Sequence, residues 1–198
     1  MRESAHAGVA PTSRYVATTR RIVRCAQRLA DERGLDGFTM DELAREVGVA
    51  RRTLFNHVPS KIDAVLGPVP TGDPDPIAVF RAGGPSGDPV ADLHAVGADL
   101  LRLRGWDVDD LLLLRRLLGA DARLLQAVHE RLERAVERLG DAIMEREGAG
   151  FDPFAARVFA RMSLCALHLA IQEFLAHPEV PAADHYLRTL RVAADMFP

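Results

Sequence analysis

Residues 39–57 read TMDELAREVGVARRTLFNH, and their pattern decides the fold. Thr39 followed by Glu42 forms a capping box. The hydroxyl accepts from the Glu42 backbone N–H while the carboxylate reaches back to the start of the helix. Met40, Leu43, Ala44 and Val47 then share one helical face, which predicts a buried stripe. Gly48 breaks the helix, and the small Ala44 with an apolar Val49 lets a second helix pack closely across the turn. That helix, near Ala50 to His57, is expected to turn Leu54 and Phe55 inward. Its other side carries Arg51, Arg52, Thr53, Asn56 and His57, side chains that can meet base edges or phosphates in a major groove.

The flanks extend the pattern. Upstream, Ile22, Cys25, Ala26 and Leu29 recur at i, i+3, i+4, i+7, which predicts a helix from Arg14 to Arg33 closed by Gly34. Leu35 and Phe38 are expected to be buried in the connector. Downstream, Pro59-Ser60 ends the third helix, and Ser60 can cap a fourth with Asp63 at its N3 position. Residues 67–88 are dense in proline and glycine and read as a linker or mobile loop, in which only Ile77–Arg81 could form a helical turn or two. Beyond it, helices are expected at 89–104, 107–118, 121–147, 153–177 and 182–197. Along the third of these, Leu124, Leu125, Val128, Leu132, Val136, Leu139, Ile143 and Met144 step down one face. No stretch alternates as a strand would, so the fold class is all-α.

Composition agrees with a globular chain, at 48% hydrophobic and 27% charged residues. The net charge of −3 is unevenly spread. Residues 14–66 hold ten Arg and Lys against seven acids, whereas residues 67–198 hold fourteen against twenty. A basic head on an acidic body suggests that the head meets a polyanion. The two cysteines, Cys25 and Cys165, stand alone in predicted helices and read as reduced, buried thiols. The first residues lack the apolar core of a signal peptide, and the apolar run Met162–Ala176 is too short to span a bilayer, so the expected location is cytoplasmic, with no membrane partner.

A long first helix, the 39–57 stretch and the following Val58-Pro59-Ser60-Lys61 together resemble the TetR family of bacterial regulators over about residues 15–66. Two positions depart from that pattern. Ala50 stands where the family carries a Ser or Thr cap, and Val58 where it carries an aromatic, which should thin the packing between the third and fourth helices. The resemblance implies that Thr39 contacts a phosphate at a helix N-terminus, that Arg51, Arg52, Thr53 and Asn56 read bases, and that His57 and Lys61 grip phosphates. It further implies a flexible arm (1–13), a helix-turn-helix domain (14–66) and, after the loop, a helical ligand-binding and dimerisation domain (89–198). The partners would be a double-stranded DNA operator, a small effector and a second copy of the chain, paired through the last two helices.

The residues support pairing independently. Met162 to Ile171 is apolar nearly all round, so one face needs a cover beyond its own domain. Tyr186, Leu187, Leu190, Val192, Ala193, Met196 and Phe197 could supply the other half. Candidate effector contacts are Phe80, His94, Trp106, Leu113, Met162, Cys165, His168 and Gln172, each also readable as an ordinary core position. Their aliphatic setting favours a hydrophobic effector, and the Leu111–Leu125 stretch resembles the subgroup that senses acyl-CoA-like molecules. His129-Glu130 does not continue into HExxH, Gly83–Gly87 lacks the ending of a phosphate loop, and there is no GxSxG. No catalytic residue, metal site or cofactor is expected. The reading is a repressor released from a palindromic operator by its effector. The alternative is a helical lipid- or ligand-binding protein that does not read DNA.

Overall fold

The computed structural model describes residues 13–69, 75–148 and 150–196. Except for Ser13, the expected arm lies outside them. Among the described residues there are ten helices and no strand: α1 Ser13–Arg33, α2 Met40–Val47, α3 Arg51–His57, α4 Lys61–Leu66, α5 Pro76–Arg81, α6 Pro89–Arg104, α7 Val108–Ala120, α8 Ala122–Glu147, α9 Pro153–Ala176 and α10 Ala182–Met196.

Short side-chain caps set most of the boundaries. Asp75, Asp88, Asp107, Asp121 and Asp152 each accept a backbone N–H at the start of a helix. In α5, α6 and α9 the next residue is a proline, whose missing N–H is one the first turn cannot use. Helix α5 places Phe80 in a buried cluster with Leu93, Val96 and Ile143. The helical turn or two allowed at Ile77–Arg81 within the expected loop is thus present as α5 and built into the body.

Three apolar clusters hold the chain. The first joins Ile22, Ala26 and Leu29 of α1 to Leu43, Val47, Leu54, Val58 and Val65, and continues into Leu117 and Leu124 of α7 and α8. The head is therefore seated on the body through shared core. The second surrounds Phe80. The third gathers Ala98, Leu101, Ala166, Ala170 and Ala183 around Tyr186. Gly97 makes room for Tyr186, since a Cβ there would lie 2.4 Å from the phenol oxygen. Burial pushes that phenol up to about 12, against a hydrogen bond with Ser163 that acts the other way.

A buried ion pair fastens α6 to α8. Arg146 Nη2 donates to Asp92 Oδ2 at 2.8 Å, and both side chains are almost fully shielded. The Asp92 carboxylate also accepts from the Ser86 N–H, the Ser86 hydroxyl and the Gly87 N–H. Burial alone would raise its pKa; these donors and Arg146 outweigh it and hold the group at about 2.

Several expectations of burial are corrected. Phe55 is 39% exposed, while Val58 is fully buried. Leu54 and Val58, four residues apart, share the inner face, and Phe55 sits one residue round the shoulder. Val58 lies in the first cluster. Leu125 and Leu132 are exposed although the rest of the α8 stripe is buried or half-buried. Cys25 is half-buried and Cys165 exposed, so neither is a buried thiol. Tyr186 is spent on the core of its own chain rather than on a pairing face. Phe197 and the side chain of Met196 lie outside the described residues.

Helix α9 starts at Pro153, well before the apolar run, and its 24 residues are long and apolar enough to cross a membrane by length and composition. The expectation of too short a segment is corrected to that extent. Its inner face of Ala156, Ala160, Ser163, Ala166 and Ala170 is buried in the fold, and Arg161 pairs bidentately with Glu133 of α8.

Candidate nucleic-acid interface

The α2–α3 turn is built as the sequence requires. Thr39 caps α2 by accepting from the Glu42 N–H at 3.1 Å, and the Glu42 carboxylate accepts from the Thr39 N–H at 2.7 Å. Gly48 ends α2 at φ 75°, ψ 38°, a left-handed conformation open to glycine at little cost. The Val49 N–H then returns to the Ala44 carbonyl at 3.0 Å. Ala50 begins α3 in an extended conformation with no side-chain cap.

Helix α3 buries Leu54 and leaves Arg51, Arg52 and Asn56 exposed. Arg51 makes an exposed ion pair with Asp41 at 3.2 Å and lies 5.5 Å over the Phe55 ring. Such a pair contributes little and can be exchanged for another anion. Among the described residues Arg52 has no hydrogen-bond or ion-pair partner. Thr53 is half-buried at the edge of this face. The structure brings these four together on one short helix.

The three expected phosphate contacts are each engaged within the protein. The Thr39 hydroxyl also donates to Glu42 Oε2 at 2.9 Å. Lys61 Nζ donates to the carbonyls of Leu35 and Phe38 at 2.9 and 3.0 Å and lies over the Phe38 ring, which leaves one N–H for a phosphate. His57 closes α3 against α1. Its Nδ1 lies 2.7 Å from Thr19 Oγ1, and its ring stacks on Tyr15 at 4.1 Å. The Thr19 hydroxyl donates to the Tyr15 carbonyl, so in the His57 contact it must accept from Nδ1–H. The neutral ring then has Nε2 as an acceptor. Burial lowers the His57 pKa and favours that neutral form. The Tyr15 hydroxyl donates to the Asn56 carbonyl, so one α1 residue holds the last two positions of α3. Sequence reading missed this clasp; Tyr15 lies some forty residues from its partners, and no local spacing marks it.

The eight candidate effector residues do not converge. Phe80 is buried in core, and His94 is half-buried, with its pKa lowered by that burial. Leu113 packs on the first cluster. Met162, Cys165, His168 and Gln172 lie on the exposed side of α9, with Gln172 hydrogen-bonded to His168 at 3.0 Å, and so line no interior pocket of one chain. The cause is the inner face of α9, which is made of small residues and turns the larger ones out. Trp106 borders a cleft of about 200 Å³ between α1 and the α6–α7 corner, which none of the other seven lines.

Residues 22–63 match the family model described as bacterial regulatory proteins, tetR family. No curated protein matches the chain. Among solved structures, the SmeT–triclosan complex is similar at a TM-score of 0.50 and 18% identity, covering 89% of this chain and 91% of that one. SmeT is described as the repressor of the Stenotrophomonas maltophilia multidrug efflux pump SmeDEF. A Mesorhizobium loti protein described as a candidate TetR-family transcriptional regulator is similar at a TM-score of 0.50 and 21% identity, covering 91% and 98%. Residues 22–63 are thus similar to the amino-terminal domain of tetR-family regulatory proteins, and the chain shares the all-helical fold of these solved structures.

Proposed function

We propose that this chain is a cytoplasmic, dimeric transcription regulator that reads a palindromic operator through α3 and is released from it by a small apolar effector. The observation that carries the reading is the division of α3. Leu54 and the following Val58 are wholly buried, while Arg51, Arg52 and Asn56 project outward from a helix opened by a tight glycine turn. A guanidinium on such a face can grip guanine bidentately, worth about 1–3 kcal/mol of discrimination.

Thr39, His57 and Lys61 flank that face and set its register on the phosphates, with the base contacts left to Arg51, Arg52, Thr53 and Asn56. A second copy supplies the second half-site, one helical turn away. The exposed apolar residues Phe154, Val158, Met162 and Leu169 of α9 and Val192 of α10 support pairing there. In the dimer, Met162, Cys165, His168 and Gln172 face the partner rather than an effector. Effector and operator binding oppose each other by linkage, with equal factors in both directions. That SmeT is seen with triclosan supports a small molecule in this role, and the resemblance of the Leu111–Leu125 stretch to the subgroup that senses acyl-CoA-like molecules supports one with a hydrophobic part.

The test is selection of binding sites from random duplexes, followed by titration of the selected fragment at several salt concentrations. A palindromic site whose affinity falls steeply with salt is the expected result. Recovery of no preferred sequence would favour a helical ligand-binding protein without DNA-reading function.

A further inference from the structure

The cleft between α1 and the α6–α7 corner has apolar walls, among them Val16, Val23, Leu103, Leu114 and the indole of Trp106. Two guanidinium groups border it with no carboxylate to balance them among the described residues. Arg104 spends Nη1 on the Pro68 carbonyl and Nη2 on the Leu66 carbonyl, both at 2.7 Å, and lies 5.3 Å from the Trp106 ring centre. Arg20 has neither a hydrogen bond nor an ion pair with any described residue. Its Nη2 lies 3.1 Å from where a Cβ would stand at Gly105, the residue after Arg104. On the rim, Asp110 is already paired with Arg24 at 3.2 Å. Burial, with Arg131 nearby, lowers the Arg104 pKa to about 10, as expected of a shielded cation that lacks a counter-ion.

We propose that this cleft binds a small carboxylic acid, its carboxylate between Arg20 and Arg104 and its apolar part against Trp106, Val23 and Leu114. The volume, about 200 Å³, is below the roughly 300–1,000 Å³ of drug-sized pockets and suits one ring with a short chain. The cleft faces α1, whose Tyr15 and Thr19 clasp the end of α3. A ligand there bears on the recognition helix through α1, so on the regulator reading it is an effector site at the junction of head and body.

Trp106 is the chain's one tryptophan, so its emission reports on this cleft alone. The probes are 4-phenylbutyrate and its neutral match 4-phenylbutyramide, titrated into the full chain without DNA. The acid is expected to shift Trp106 emission saturably and the amide to bind about tenfold more weakly. Arg20→Gln, which removes no internal hydrogen bond, should weaken the acid about tenfold and leave the amide unchanged. Equal affinity for acid and amide, an acid unaffected by Arg20→Gln, or no saturable change through the millimolar range would overturn the proposal. Binding to the outer face of α9 would show no dependence on Arg20. Because this readout needs no operator, a chain that failed to bind DNA would leave the result intact. An operator affinity unmoved by saturating acid, in a chain that does bind DNA, would overturn the coupling.

Discussion

His57 Nδ1 and Thr19 Oγ1 lie 2.7 Å apart, joining the last residue of the recognition helix to the first helix of the chain. The contact fixes the neutral imidazole with Nε2 as an acceptor, and an acceptor repels a phosphate oxygen. A phosphate contact through Nε2 therefore requires the imidazolium. Burial lowers the His57 pKa in the free protein, so that proton is taken up on binding. Operator affinity should rise several-fold from pH 8 to pH 6, measured by fluorescence anisotropy at fixed salt, and His57→Gln should flatten the profile. A wild-type profile as flat as the variant's would remove His57 from the phosphate contacts.

The Asp92–Arg146 pair makes a prediction about acid. The folded carboxylate titrates at about 2, against roughly 3.9 in an unfolded chain. A depressed carboxylate stabilises the fold fully above the unfolded value and ceases to do so as pH falls through the folded one. Its contribution is thus present at neutral pH and lost between about pH 4 and pH 2. Chemical denaturation of Asp92→Asn should show the variant well below wild type at pH 7, with the gap narrowing over that window. A gap that stays constant to pH 2 would contradict the assigned state.

Helix caps give a paired test of local stability. Ala50 stands at the N-cap of α3 in an extended conformation that a capping serine can adopt, with no side-chain bond of its own. Ala50→Ser should stabilise the chain by about 1 kcal/mol, and Thr39→Ala, which removes the capping box of α2, should destabilise it by a similar amount. Urea unfolding measures both. An Ala50→Ser chain no more stable than wild type, or a Thr39→Ala chain no less stable, would refute the cap assignments.

Pairing through α9 is tested at two exposed apolar residues in its middle turns. Met162 is 56% exposed, and Leu169, two turns along, is also exposed. Met162→Glu with Leu169→Glu should convert a dimer to a monomer in sedimentation, while far-ultraviolet circular dichroism keeps its helical signal. A dimer that survived both charges would place the interface elsewhere.

The head was legible in the sequence because its determinants are local. The Thr39–Glu42 box, Gly48 and the Ser60–Asp63 cap lie within a few residues of their partners and appear in the structure as read. Helix α5 was read as a helical turn or two at Ile77–Arg81, although its cap, Asp75 followed by Pro76, was obscured by the prolines and glycines around it. What depended on long-range packing was not legible. The 3.6-residue period identifies a buried face but not its edges, so Phe55 and Leu132 were assigned to the interior by one residue's rotation. Met162, Cys165, His168 and Gln172 of α9 were read as candidate effector contacts, yet the helix turns its alanines and Ser163 inward and these four outward. The clasp of Tyr15 on α3 and the guanidinium groups beside Trp106 join segments far apart in sequence.

The most direct test of the outward face of α3 is Arg52→Ala measured against the selected operator and a panel of its single-base variants. Arg52 is exposed and unpaired among the described residues, so its removal should leave the fold intact. A base-reading role predicts a loss of about 1–3 kcal/mol on the operator, with discrimination lost at one base pair of each half-site and retained elsewhere. An equal loss across the whole panel, or none, would contradict it.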